Sequence, residues 1–236
     1  MSAAKTGNDM KRESFLYSLG AAALWRGLDR VAGLAKHILI AAAIGLSAQL
    51  DVFYMAVAIL GVLVFSWAHL LDVLAVPQLV KARQEGDQAG FQSLAGGLFV
   101  FCLLASLLIF ALFYGLREWI AALAPGFDTK RNAMLVDALA WLAPVALFYI
   151  PLRMLGSIAR AVRRFTLFYQ AEFLISLVVL ICVFASHDEH VLLWAFGLGV
   201  SAAFFFFSGR YAAISNRGGI RLIRLFWPAC NWPQAC

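Results

Sequence analysis

The feature that most constrains the fold is a series of long apolar runs separated by short polar segments. A bilayer core of about 30 Å needs roughly 20 apolar residues in a helix. Six runs approach or exceed this length, at about residues 20–44, 52–76 (broken near Pro77), 91–116, 133–158, 165–186 and 191–208. A helix satisfies its own backbone hydrogen bonds in lipid. The runs therefore predict an all-α integral membrane protein, with about six transmembrane helices in an antiparallel bundle.

The composition supports a membrane protein and excludes a soluble domain. Hydrophobic residues make up 63% of the 236 residues and charged residues 14%, whereas a soluble domain carries roughly 25% charged residues. So little polar surface cannot cover a globular domain in water. The net charge of +6 is spread between apolar runs and forms no basic patch with interleaved aromatic residues, so no nucleic-acid partner is predicted.

No motif in the sequence predicts catalysis or cofactor binding. The chain has no G-x-S-x-G turn, no Walker loop, no H-E-x-x-H motif and no glycine-rich dinucleotide turn after a strand. The four cysteines lack metal-ligand spacing. We therefore expect no enzyme, no cofactor and no metal site. Any transport would be driven by a gradient or by substrate flow, since no nucleotide site is recognisable.

The charges of the loops predict the orientation of the helices. With the N-terminus in the cytoplasm, cytoplasmic segments hold twelve basic residues and the opposite side holds three. The twelve are Lys5, Lys11, Arg12, Lys81, Arg83, Arg160, Arg163, Arg164, Arg210, Arg217, Arg221 and Arg224, and the three are Arg117, Lys130 and Arg131. This positive-inside bias predicts six crossings with both termini in the cytoplasm, and it places basic loops beside anionic membrane lipids.

The predicted organisation has three parts. Residues 1–17 form a polar cytoplasmic segment, residues 18–209 the six-helix lobe, and residues 210–236 a basic cytoplasmic tail. The tail ends in a Trp-, Pro- and Cys-rich stretch that continues no element, which we interpret as a truncated or frame-shifted end.

The first apolar run is unusual because it carries charges. At about 100° per residue, its charged or titratable residues fall within an arc of about 120°. These residues, the charged face of the first helix, are Arg26, Asp29, Arg30, Lys36 and His37. The helix either lies flat at the membrane interface or crosses the membrane with this face toward a water-filled cavity. Because cations outnumber Asp29, a cavity here would attract an anion such as phosphate or pyrophosphate.

Other polar residues lie inside the later runs. His69 and Asp72 share one face of the second helix at i, i+3, where they either pair with each other or line the cavity. Arg153 is expected to extend toward the cytoplasmic headgroups. Gln170 and Glu172, early in the fifth run, are expected to be solvated near the interface. Small residues at 197–203 favour close helix packing.

Several motifs resemble the MurJ/MviN family of lipid II flippases, which belongs to the multidrug/oligosaccharidyl-lipid/polysaccharide exporter superfamily. The stretch DRVAGLAKHILIAAAIGLSAQLDVFYMAV at 29–57 resembles the start of that family. Val-Pro at 76–77, ALAPGF at 122–127 and ARAVRRFTL at 159–167 are similar to its later motifs. The resemblance runs from about residue 14 to residue 209.

The resemblance implies the N-terminal lobe of a two-lobe flippase that works by alternating access. Arg30 and Lys36 stand at family arginines and would attract a pyrophosphate. His37 stands at the acidic residue beside them and would couple to protons, and Asp51 stands at an aspartate that caps or gates the outer end. The family's Arg-Arg pair in the second helix is replaced here by VFSWAHLLD at 64–72, which leaves fewer cations for the pyrophosphate. The remaining predicted substrate-binding residues are Arg26, His69 and Asp72.

The predicted function is to move an undecaprenyl-pyrophosphate-linked glycan, such as lipid II or an exopolysaccharide repeat unit, from the inner to the outer leaflet. The alternatives are an inactive or scaffold membrane fragment that lacks a C-terminal lobe, and an exporter of another amphiphilic solute. The expected partners are the lipid-linked oligosaccharide, membrane lipids and a second transmembrane lobe or chain. The expected location is the bacterial cytoplasmic (inner) membrane.

Overall fold

The computed structural model of the protein describes residues 15–45, 47–85, 88–162, 164–185 and 191–218, and every regular element in these ranges is helical. The helices are α1 (Phe15–Ile44), α2 (Ala48–Leu60), α3 (Ser66–Gln84), α4 (Gln88–Gly115), α5 (Arg117–Ala122), α6 (Thr129–Ala161), α7 (Phe165–Ala185) and α8 (Val191–Gly218). The predicted segment 1–17 lies almost wholly outside the described residues, as does the predicted tail beyond residue 218.

Among the described residues, five helices are long and apolar enough to cross a membrane, so the all-helical class is confirmed and the helices are those of a membrane protein by length and composition. They are Ala48–Gln84, Ala89–Gly115, Thr129–Ala161, Thr166–Ala185 and Leu193–Arg210. α1 has 30 residues but is not among the five, because charged residues interrupt its apolar sequence. The sixth crossing therefore stays a prediction.

The second predicted run is one continuous helix and does not break at Pro77. A π-helical turn, Gly61–Phe65, joins α2 to α3, and both the backbone N–H and the hydroxyl of Ser66 donate to the carbonyl of Gly61. Pro77 lies inside α3, and the helix continues to Gln84. A proline removes only one helical hydrogen bond, and spanning helices tolerate this loss. The predicted break at Pro77 is therefore wrong.

The helix Ala48–Gln84 packs side by side with α6 in a parallel direction. Residues in contact differ in number by 78 to 84 along its length. The contacting pairs are Asp51 with Arg131, Phe65 with Tyr149, Asp72 with Arg153, and Arg83 with Ala161. The two helices thus run together from one end of the protein to the other.

α7 and α1 run in the direction opposite to α6. In contacting pairs of α6 and α7, the residue number increases along one helix as it decreases along the other, as in Arg153 with Glu172 and Gly156 with Phe168. Along α1 and α7, contacting pairs differ in number by 146 to 148, so these two helices are parallel. The pairs are Arg26 with Glu172, Asp29 with Ser176, and Trp25 with Phe173.

The core is built around α6, which contacts α2, α3, α4, α5, α7 and α8. Its buried side chains include Leu135, Leu139, Leu142 and Ile158. The predicted packing role of the small residues at 197–203 is confirmed by Gly199, where an added Cβ would lie 3.1 Å from the carbonyl oxygen of Ile175 on α7. Large apolar side chains remain exposed on the outside of the helices, as a surface facing lipid requires.

Candidate functional site

The most buried charged residue in the described ranges is Asp72 on α3, which is 7% exposed. Its Oδ2 accepts a hydrogen bond of 3.0 Å from Nη2 of Arg153, and its Oδ1 accepts hydrogen bonds from Arg160 and from the hydroxyl of Ser157. Arg153, Ser157 and Arg160 are spaced i, i+4, i+7 on α6 and so share one face. A single carboxylate on α3 thus binds three side chains of α6.

Arg153 joins this carboxylate to a second one. Its Nη1 donates to Oε1 of Glu172 on α7 at 2.5 Å, and Oε2 of Glu172 lies 3.7 Å from Nη1 of Arg26 on α1. Charges therefore alternate through four helices. We call this set the ion-pair network, and it consists of Arg26, Glu172, Arg153, Asp72 and Arg160.

The ring of Phe168 on α7 supports the two arginines of α6. The guanidinium carbons of Arg153 and Arg160 lie 4.8 and 4.6 Å from its centroid, within the distance at which a cation is attracted to an aromatic face. Gly156 makes room for the ring, because a Cβ at this position would lie 2.3 Å from Cδ2 of Phe168. The fit between α6 and α7 thus depends on a residue without a side chain.

The charged face of the first helix divides into a packed part and an exposed part. Asp29 accepts a hydrogen bond of 2.7 Å from the hydroxyl of Ser176 on α7, and Lys36 is half-buried. Arg30 and His37 are exposed, although the ring of His37 stacks on Tyr54 with 6.5 Å between centroids. The predicted grouping on one side of the helix therefore holds, but α7 covers only part of it.

Arg30 lies about level with the middle of α7. The numbering difference of 147 between Asp29 and Ser176 places Arg30 level with Leu177, near the centre of Phe165–Ala185. Arg30 is exposed, and it forms no hydrogen bond or ion pair within the described residues. Arg30 is therefore level with the middle of a helix that is apolar enough to cross a membrane.

Asp51 lies at the opposite end of the helices from the ion-pair network. It is in the first turn of α2, whose N-terminus is capped by the Ser47 side chain, where a carboxylate also complements the helix dipole. Its Oδ2 lies 3.7 Å from Nη1 of Arg131, and both side chains are largely exposed. The structure thus separates Asp51 from Arg26 and Asp72, with which it was grouped from the sequence.

Three sequence interpretations are corrected by these contacts. Asp72 binds arginines of α6, and His69 is exposed, so the two do not form the pair considered above. Arg153 bridges two carboxylates instead of extending toward headgroups. Glu172 forms ion pairs with Arg153 and Arg26, so its charge is compensated by protein side chains and not by water alone, as was expected. In each case a partner on another helix compensates the charge.

Arg160 and Ser157 belong to the candidate site through their contacts with Asp72, and the sequence interpretation missed them. Arg160 was counted with the basic loop residues, but it lies inside α6 with its side chain 23% exposed. The spacing of Arg153, Ser157 and Arg160 was the available signal, because polar residues at i, i+4, i+7 in an apolar helix mark one polar face. In the described ranges, His, Cys, Asp and Glu form no group of three that could hold a metal ion.

The chemistry of this site is electrostatic. Charged side chains lie within a helical, largely apolar protein, and Arg30 on α1 is exposed without a carboxylate partner in the described residues. Compared with known proteins, the chain matches no family model, no curated protein and no solved structure.

Proposed function

We propose that the protein is a membrane transporter, or one lobe of one, that moves an undecaprenyl-pyrophosphate-linked glycan from the inner to the outer leaflet by alternating access. The glycan is lipid II or an exopolysaccharide repeat unit. The observation that carries the proposal is Arg30, an exposed arginine at the depth of the middle of α7 without a carboxylate partner in the described residues.

Arg30 needs an anion or water at its depth. An arginine at the centre of a spanning helix costs about 2.5–3.5 kcal/mol on insertion scales, and such residues face a bundle interior or a solute path. Arg30 borders the exposed apolar side of α1, because Leu34 follows it at i+4 and is also exposed. A polar cavity beside Arg30 would remove this cost.

The charges around Arg30 favour an anionic ligand. Arg26, Arg30 and Lys36 lie on the same side of α1 as a single carboxylate, Asp29, and Glu172 already binds Arg153 at 2.5 Å. A positive excess therefore remains on this side. A pyrophosphate attached to a lipid tail brings negative charge to this depth while its tail stays in hydrocarbon, and phosphate oxygens suit the guanidinium fork.

The proposal places the protein in the bacterial inner membrane. It includes α1 as a sixth crossing, so that both termini lie on the cytoplasmic side. Its support is the parallel packing of α1 along α7, together with the excess of basic residues in the predicted cytoplasmic loops. A second lobe or a second chain would form the other wall of the cavity. His37, exposed on the same face, would couple transport to protons.

The test is complementation of a flippase-depleted strain with Arg30→Ala and Lys36→Ala variants. Both should fail to restore growth, and the lipid-linked glycan should accumulate on the cytoplasmic face. Lys130→Ala is the matched control, because Lys130 is exposed at the start of α6, and it should complement fully. Normal growth with Arg30→Ala and Lys36→Ala would show that the site assignment is wrong.

The second candidate function is a non-transporting membrane scaffold. It is favoured by the ion-pair network, in which Arg153 and Arg160 have their carboxylates within the chain and hold three helices together. A scaffold would leave the lipid-linked glycans unchanged on depletion. Export of another amphiphilic solute would change resistance to that solute instead.

A further inference from the structure

We propose that Glu172 is an intramolecular competitor for the ligand anion at Arg26, and that it thereby sets the affinity of the anion site on α1. This inference rests on the proposed function, because it assumes that an anion binds beside Arg26 and Arg30. It assigns a specificity role to a carboxylate on α7, a helix on which no substrate-binding residue was predicted from the sequence.

The two oxygens of Glu172 bind unequally. Oε1 accepts a short hydrogen bond of 2.5 Å from Arg153, whereas Oε2 lies 3.7 Å from Nη1 of Arg26. Hydrogen bonds between nitrogen and oxygen span about 2.7–3.2 Å, so the contact with Arg26 is a looser electrostatic attraction. Arg26 is therefore the partner that Glu172 can release.

Arg26 is also the member of the network that a ligand can reach. Its side chain is 48% exposed, against 24% for Glu172. The guanidinium carbon of Arg26 lies 5.5 Å from the centroid of the Tyr169 ring, a distance at which the ring attracts a cation. An anion arriving from the exposed side thus meets a guanidinium that the Tyr169 ring keeps in place after Glu172 is displaced.

The exchange leaves no buried charge without a partner. After releasing Arg26, Glu172 keeps Arg153, and Arg153 keeps Asp72. In the described residues the ion pair of Arg26 is with Glu172 and not with Asp29, whose Oδ1 accepts a hydrogen bond from Ser176. One anion therefore replaces another at Arg26, and the empty site holds its own carboxylate as a substitute for the ligand.

The experiment measures farnesyl pyrophosphate binding to the purified full chain in lipid nanodiscs by calorimetry. Glu172→Gln keeps an oxygen for Arg153 and removes the competing charge, so it should tighten binding about two- to fivefold, as expected for a half-exposed ion pair. Arg26→Gln should weaken binding. The double variant should bind like Arg26→Gln alone, because Glu172 acts through Arg26.

Asp29→Asn is the matched control, because it removes one carboxylate of the same region that does not contact Arg26. An equal gain with Asp29→Asn and Glu172→Gln would mean general electrostatics and would overturn the inference. Glu172→Asp, which keeps the charge but draws it back from Arg26, should also tighten binding and serves if Glu172→Gln fails to fold. An unchanged affinity in the Glu172 variants would refute the competition at Arg26 but leave the proposed function standing. No binding by the wild-type protein would overturn the proposed function, and the inference with it.

Discussion

Asp72 on α3 and Arg153 on α6 form a hydrogen-bonded ion pair of 3.0 Å across 81 residues of sequence. The same carboxylate binds Arg160, so it compensates two guanidiniums in the interior of a largely apolar protein. Breaking a buried pair by removing one partner is far more costly than replacing both partners. Asp72 is therefore the residue on which the ion-pair network depends most.

Replacing Asp72 with Ala should destabilise the protein by about 3–5 kcal/mol, because Arg160 loses its carboxylate partner in the described residues and Arg153 loses one of its two. The measurement is unfolding by SDS in mixed micelles, followed by circular dichroism. His69→Ala is the control, since His69 lies one turn away on the same helix but is exposed, and it should unfold like the wild type. Equal stability of the two variants would contradict a structural role for the Asp72 pairs.

Gly156→Ala should destabilise the contact between α6 and α7. An added Cβ would lie 2.3 Å from Cδ2 of Phe168, and the ring cannot move freely because it lies against the guanidiniums of Arg153 and Arg160. We expect a loss of about 1–3 kcal/mol, typical of overpacking, measured as a lower melting temperature in detergent.

Gly97→Ala is the control for this substitution. Gly97 lies inside α4, with nothing within 4 Å of an added Cβ, so alanine there should be neutral or slightly stabilising. Phe168→Leu should partly restore the stability of Gly156→Ala. If Gly156→Ala melts like Gly97→Ala, the close packing of Phe168 against α6 is wrong.

The side-by-side packing of α1 and α7 predicts a specific cross-link. In a background without the native cysteines, Asp29→Cys and Ser176→Cys should form a disulfide on mild oxidation, because the side chains they replace are in contact at 2.7 Å. Gel mobility under non-reducing conditions measures the product. Asp29→Cys paired with Phe184→Cys is the control and should stay reduced, since Phe184 lies two turns further along α7. The reverse pattern would exclude the register between α1 and α7.

The proposed crossing by α1 predicts the side on which single cysteines are labelled. Ser47→Cys, between α1 and α2, should react with an impermeant maleimide in intact spheroplasts. Glu85→Cys, just after α3, and Ala3→Cys should react only after permeabilisation. Labelling of residues 3 and 47 from the same side would show that α1 does not cross.

The sequence predicted the long apolar helices because their length and hydropathy are local properties. It misplaced the end of the second run, because a proline inside a spanning helix has the same sequence signal as a helix end. Pro144 and Pro151 were correctly expected inside a helix. The difference is that Pro77 is followed by a polar segment, which still forms two helical turns as far as Gln84.

The ion-pair network could not be derived from the sequence, because its partners lie 19 to 146 residues apart. Without knowledge of which helices pack together, we expected Arg153 to extend toward the headgroups and Glu172 to be solvated. The charged face of α1 was more accessible to prediction, since a helix of 3.6 residues per turn fixes its angles. What the angles did not reveal is that α7 covers the side with Asp29 and leaves Arg30 open.

The pairing of α1 with α7 has a consequence for biosynthesis. Asp29 finds its partner Ser176 in a segment translated 147 residues later. At a synthesis rate of about 5–20 residues per second, the partner segment in α7 is made roughly 7–30 s after α1. During that interval its charges lack their native neighbours, so the insertion machinery or the N-terminal helices made meanwhile must shelter them. We therefore expect the nascent chain to be more sensitive to proteolysis before α7 has been made than after it.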